Sequence, residues 1–155
     1  MPQAEAQAIT IIDNLIGELS SAAASNVKEV QDILNSQKPQ KQNPEDPHRV
    51  KAIWLQLKRR TGYETIAIIW RIVKYFHLAS KKPYYQDIAR GKGFCIPRRK
   101  FMAAVRCYHP EIQKELWEYE KTFAEIRLRQ SLLSQARERL VLFQKRAGKP
   151  LEEID

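Results

Sequence analysis

The sequence predicts an all-α protein: a compact bundle of about six to seven helices that ends in one long helix. Three observations predict it. Apolar residues recur at spacings of three and four along most of the chain, a proline or small polar residue precedes most of these runs, and strand signals are absent. With 155 residues, 43% of them apolar, the chain is long enough to bury one continuous core, so residues 1–155 are expected to form a single domain.

The elements follow in order. In "EAQAITIIDNLIGEL", Ile9, Ile12, Leu15, Ile16 and Leu19 form a one-sided apolar stripe. Asn26 with Glu29 reads as the cap of a short second helix that turns Val27, Val30, Ile33 and Leu34 inward. "SQKPQKQNPED", Ser36 to Asp46, holds two prolines and no apolar side chain, which makes it a flexible linker near 36–46. Pro47 after Asp46 then opens a helix with Val50, Ile53, Trp54 and Leu57 on one face. A Thr61…Glu64 capping box opens the next helix, apolar on most of its circumference up to Ala79 and therefore central, with Arg71, Lys74, His77 and Lys81 along one polar edge. Pro83 and Pro97 start two short helices around the bend "RGKGFCI". Pro110 starts the last helix, whose positions Leu116, Tyr119, Phe123, Ile126, Leu133 and Leu140 alternate by four and three. Gln130 and Arg137 interrupt that pattern, and Gly148 with Pro150 ends it.

Charge narrows the function classes. The net charge is +9, and its placement is uneven: residues 1–47 carry three basic against seven acidic side chains, 48–106 fifteen against two, and 107–155 nine against nine. A central block this basic attracts a polyanion, nucleic acid before an anionic membrane surface. No apolar run approaches the roughly twenty residues of a membrane span, and the N-terminus reads as neither signal nor transit peptide, so the expected place is the cytoplasm. Cys95 and Cys107 read as small buried residues, and with His109 they lack the spacing and the fourth partner of a zinc site.

Catalysis finds little to build on. The phosphate-cradling glycine motif is missing, the histidines are scattered, and the basic block holds only Glu64 and Asp87 as acids. Neither an enzyme nor a bound cofactor or metal is expected. The candidate nucleic-acid-binding residues are the cations of the block: Lys58, Arg59, Arg60, Arg71, Lys74, Lys81, Lys82, Arg90, Lys92, Arg98, Arg99 and Lys100. Arg98, Arg99 and Lys100 crowd a helix start, where a phosphate would offset their cost. Tyr84, Tyr85 and Phe94 interleave with the cations, which suits stacking on a single strand, although one or more of them would serve equally in the core.

The stretch "YYQDIARGKGFCIPRRKFMAAV", Tyr84 to Val105, can also be read as a helix-turn-helix, with Ala89 and Gly93 at the required spacing. Six residues between Arg90 and Pro97 make a turn longer than usual, and no amide side chain stands early on the second helix to read bases. Contact with phosphate irrespective of sequence is the better fit.

A basic, all-helical chain of this size without catalytic signature resembles the small subunits of type I CRISPR interference (Cascade) complexes, and among them most the type I-D small subunit. The resemblance covers "DPHRVKAIWLQLKRRTGYETIAIIWRIVKYFHL" and "IPRRKFMAAVRCYHPEIQKELWEYEKTFAEIRLRQSLL", Asp46 to Leu78 and Ile96 to Leu133, and rests on type rather than on a motif. It implies a non-catalytic subunit that stabilises a guide–target duplex or a displaced strand, binds single-stranded DNA or RNA–DNA hybrid without sequence preference, and contacts other protein subunits and further copies of itself. A helix-turn-helix regulator using residues 84–105 and an adaptor whose long C-terminal helix binds a partner helix are the alternatives.

Overall fold

The computed structural model describes residues 2–37, 39, 50–59, 66–74 and 84–147. In chain order these form α1 (Pro2–Ser36), β1 (Val50–Arg59), β2 (Ile66–Lys74), β3 (Tyr84–Asp87), α2 (Arg98–Ala104), a 3-10 turn (Val105–Cys107) and α3 (Pro110–Arg146). The strands pair antiparallel in the order β1-β2-β3. The fold is therefore mixed α/β, and the expected all-α bundle of six to seven helices is overturned.

The misreading has a definite cause. Val50, Ile53, Trp54 and Leu57 satisfy a helical spacing, yet Ile53, Leu55 and Leu57, like Ile66, Ile68, Trp70 and Ile72, also satisfy strict alternation. Composition decides between the two periods: six of the eight residues in "IAIIWRIV" are β-branched or aromatic, and such side chains fit a pleated surface. The register sets Leu55 opposite Trp70 and Leu57 opposite Ile68. Ile53, Leu55, Ile66, Ile68 and Trp70 are buried on the inner face, while Ile69 and Val73 stay half-buried on the outer one, which is why the segment looked apolar all round. The free edge of β1 is closed by side chains, since Ile53 N–H donates to the Tyr108 hydroxyl (3.0 Å) and Gln31 Nε2 donates to the Leu55 carbonyl (2.9 Å). The Thr61…Glu64 box and most of the 36–46 linker lie outside the described residues.

The two predicted N-terminal helices are one. The link "SSAAAS" contains good helix formers and no breaker, and Asn26 Nδ2 donates back to the Ala22 carbonyl (2.9 Å) instead of capping a new start. After Pro83 the chain enters a strand rather than a helix. The last helix begins where expected, with Pro110 at its first position and the His109 side chain accepting from Glu111 N–H. It runs antiparallel to α1, as the pairs Tyr119–Glu29 (2.8 Å), Gln130–Ser20 (3.3 Å) and Arg137–Asp13 (2.7 Å) show. Gln130 and Arg137, the two breaks in the apolar pattern, thus meet polar partners on α1 and favour one register.

The inner sheet face packs on Val27, Val30 and Leu34 of α1 and on Leu116, Phe123 and Ile126 of α3, and Phe101, Val105 and Tyr108 close one end. Trp70 lies at the centre, edge-on to Phe101 with ring centroids 5.0 Å apart. Trp70→Ala is expected to cost about 3–5 kcal/mol, read as a lowered urea midpoint.

Cys107 supplies a pH handle. Burial pushes its thiol from 9.0 up to about 11, so the folded state keeps a proton that the unfolded state releases. That contribution is complete below pH 9 and fades as the pH climbs to about 11. Cys107→Ala should flatten the fall in stability across that window, measured by denaturant unfolding at stepped pH.

Candidate nucleic-acid interface

The structure sorts the predicted cations into three groups. Arg90, Lys92, Arg98, Arg99 and Lys100 sit together on the loop after β3 and on α2; the span 88–106 carries six basic residues and no acid. Lys92, Arg98, Arg99 and Lys100 are exposed and Arg90 is half-buried. Lys58 and Arg59 are exposed at the end of β1, with Arg59 opposite Ile66. Arg71 and Lys74 lie further along β2, and Arg71 is already engaged by Asp87 at 3.0 Å. Lys74, opposite Tyr84, is separated from the level of Arg59 by roughly 27 Å of strand at about 3.4 Å per residue. Arg60, Lys81 and Lys82 lie outside the described residues.

The loop of the first group is shaped from several sides. Gly91 takes a φ of 72°, which any side chain would resist. Lys100 Nζ donates to the Ala89 carbonyl (3.1 Å) and Arg90 donates to the Gly93 carbonyl (3.4 Å), so the loop doubles back towards the first turn of α2. Lys92, Arg98 and Arg99 form no ion pair among the described residues. Phe94 between them is 39% exposed and Tyr85 on β3 is 53% exposed, so neither ring is spent in the core. Helix α2 has only seven residues and no side-chain cap at Pro97, and so aligns few peptide dipoles. Charge and reach, not the dipole, are what this corner offers.

The helix-turn-helix reading fails here. Its first helix is replaced by β3 and an irregular loop, so no helix pair presents a recognition helix. On the adaptor reading, the C-terminal helix already packs along α1 of the same chain, and only its outer face is left for a further helix.

Sequence reasoning missed the device that holds the loop. Glu120 is fully buried, and its Oε1 accepts from Trp70 Nε1 (2.9 Å) and Arg127 Nη2 (3.0 Å), while Oε2 accepts from Ile96 N–H (2.8 Å) and Arg127 Nη1 (3.1 Å). Arg127 also donates to the carbonyls of Phe94 (2.8 Å) and Ile68 (3.1 Å). The one available signal was a Glu and an Arg seven residues apart, each next to a position of the predicted apolar stripe, Tyr119 and Ile126. Beside the network runs a cleft of about 680 Å³ between β2, the loop and α3, lined among others by Ile66, Ile68, Arg90, Phe94, Ser131 and Ser134. Cys95 borders this network, and burial, followed by the Glu120 charge, raises its thiol pKa. Among the described residues no three His, Cys, Asp or Glu side chains gather as metal ligands, and no helix is long and apolar enough to cross a membrane.

A family model described as "MobI protein" matches residues 21–141, from the middle of α1 almost to the end of α3. The chain belongs to the MobI family. The match covers all three strands, the basic loop and the Glu120–Arg127 pair, so the sheet and the C-terminal part of α1 packed on it, with most of α3, lie within the family match. It overturns the resemblance to CRISPR small subunits and the guide-RNA function drawn from it, because that likeness rested on helix content and charge, and the helix content was misjudged. No curated protein and no solved structure matches the chain.

Glu120→Gln should destabilise the protein by about 3–5 kcal/mol by leaving Arg127 buried without a counter-charge. The double variant Glu120→Leu with Arg127→Met removes the lone charge but should recover only part of that loss in the same unfolding measurement, because Trp70 Nε1, Ile96 N–H and the Phe94 and Ile68 carbonyls lose their partners.

Proposed function

We propose that this MobI-family chain is a DNA-binding accessory protein of plasmid mobilisation, one that grips DNA by its phosphates and carries out no chemistry of its own. One observation carries the reading: Lys92, Arg98 and Arg99 stand exposed on one corner, without acidic partners among the described residues, around an exposed Phe94. Phosphate oxygens satisfy such cations without regard to sequence, and an exposed ring beside them offers a face to an unpaired base. Single-stranded DNA therefore suits the corner better than duplex. An RNA–DNA hybrid loses its rationale together with the guide-RNA reading. Other proteins of the mobilisation machinery are the natural further partners, since a grip without chemistry serves an enzyme that acts on the same DNA. The Glu120–Arg127 network supports the reading by holding the ends of the basic loop to the core.

Replacing Lys92, Arg98 and Arg99 with Ala should weaken binding to unrelated single strands alike and leave the fold intact. The slope of log affinity against log salt should flatten by about two, at roughly 0.7 per lost phosphate contact. Phe94→Ala should weaken single-strand binding by about 1–3 kcal/mol and duplex binding less. An unchanged salt slope in the triple variant would place the DNA elsewhere.

A further inference from the structure

The sheet covers only part of the helix pair. On α1 the buried positions run from Ile16 to Leu34, and on α3 none of the described residues after Gln130 is buried. Residues 2–19 of α1 and 131–146 of α3 thus continue as a two-helix arm, about 24 Å long for sixteen residues of α3. Of the eight exposed large apolar residues among the described residues, six belong to this arm or its base: Ile11 (59% exposed), Leu15 (41%), Leu128 (40%), Leu132 (56%), Leu142 (50%) and Phe143 (58%). Ile11 and Leu15 lie one turn apart on α1, as do Leu128 and Leu132 on α3. Two helices alone bury only the seam between them, so these side chains remain open to a further layer.

Charge says what that layer is. Residues 2–19 carry Glu5, Asp13 and Glu18 and no cation, whereas residues 131–146 carry Arg137, Arg139, Lys145 and Arg146 against Glu138. One helix of the arm is acidic and the other basic, with Arg137–Asp13 as the pair between them. The complement of such a face is the same face with its two helices exchanged. A second copy turned about a two-fold axis parallel to the helices supplies it: each α1 meets the partner's α3, every neighbouring pair runs antiparallel, and both sheets lie at the same end. A two-fold axis across the helices would instead set acid on acid and base on base, which like-charge repulsion disfavours.

We propose that the arm is a dimerisation surface for a second copy of this chain, with two arms closing into an antiparallel four-helix bundle that places the acidic helix of each copy on the basic helix of the other. This inference does not rest on the DNA reading, but it would put two basic corners at one end of the dimer, where a single DNA molecule gains from both.

The test is the mass of the full chain by light scattering and sedimentation, at protein concentrations of about 1–50 µM. The dimer, at twice 18.1 kDa, is expected. Leu132→Glu and Phe143→Glu, at positions more than half exposed in the single chain, should each weaken dimerisation at least tenfold while the helical circular dichroism is retained. Leu132→Ser serves as the milder variant should the charge disturb the helix. Arg139→Glu tests the orientation: it lowers the net positive charge, so general repulsion would tighten the dimer, whereas the proposed pairing of α1 with α3 weakens it. A monomer throughout the concentration range, a dimer indifferent to Leu132 and Phe143, or one tightened by Arg139→Glu would overturn the proposal. DNA binding measured on the same variants reports separately on the basic corner.

Discussion

The buried pair of Glu120 and Arg127 is the constraint around which the rest is arranged. Each oxygen of Glu120 accepts two hydrogen bonds, and the Arg127 guanidinium spends its four terminal bonds on that carboxylate and on two carbonyls. Desolvating two charges is expensive, and the bonds of both carboxylate oxygens and both terminal guanidinium nitrogens offset it, with Arg127 Nε alone of the pair's polar atoms left buried without a partner among the described residues. In return the pair joins what apolar packing would leave loose: the centre of β2 through Trp70 and Ile68, the loop through Phe94 and Ile96, and the middle of α3. Nonpolar contacts tolerate small slides, whereas a fork of directed bonds does not.

This has a consequence for the basic corner. The loop between β3 and α2 has no ladder of its own, and its cations would otherwise sample many positions. Bonds to the backbone at residues 94 and 96 hold its far end against the core, and the Lys100–Ala89 bond closes its near end. Lys92, Arg98 and Arg99 are then displayed from a firm base while their own side chains form no ion pair among the described residues. A surface that binds phosphates without reading bases needs such a base to keep several contacts within reach of one backbone, and flexible side chains to follow it.

Much of the helical part was legible in the sequence. The start of α3 at Pro110 and its apolar spacing follow from local chemistry, because a helix is held by bonds between near neighbours along the chain. The concentration of cations in residues 48–106 was equally plain, as was the core position of Trp70. The strands were not. In ten or fewer residues of mostly apolar side chains, periods of two and of 3.6 overlap, and residues such as Ile53 and Leu57 satisfy both. β-branched content was the better guide for Ile66 to Val73, and apparent caps and a full apolar circumference outweighed it. Once those two segments are strands, the stretch from Tyr84 loses its helix as well, because it completes the sheet they begin.

The sequence by itself determined the long α3, the segregation of charge and the apolar surplus on both terminal helices, all of which depend on residue identity and spacing within a few turns. Tertiary structure alone decided that Leu55 faces Trp70, that Arg71 is held by Asp87 and that Glu120 takes Trp70, Ile96 and Arg127 together. The partners in these contacts stand up to 50 residues apart, with the Ile68–Arg127 bond spanning 59. No local preference encodes them. They form because sheet and helix pair, once folded on each other, exclude water from the same small volume, and a polar group left inside is costly unless it finds a partner there.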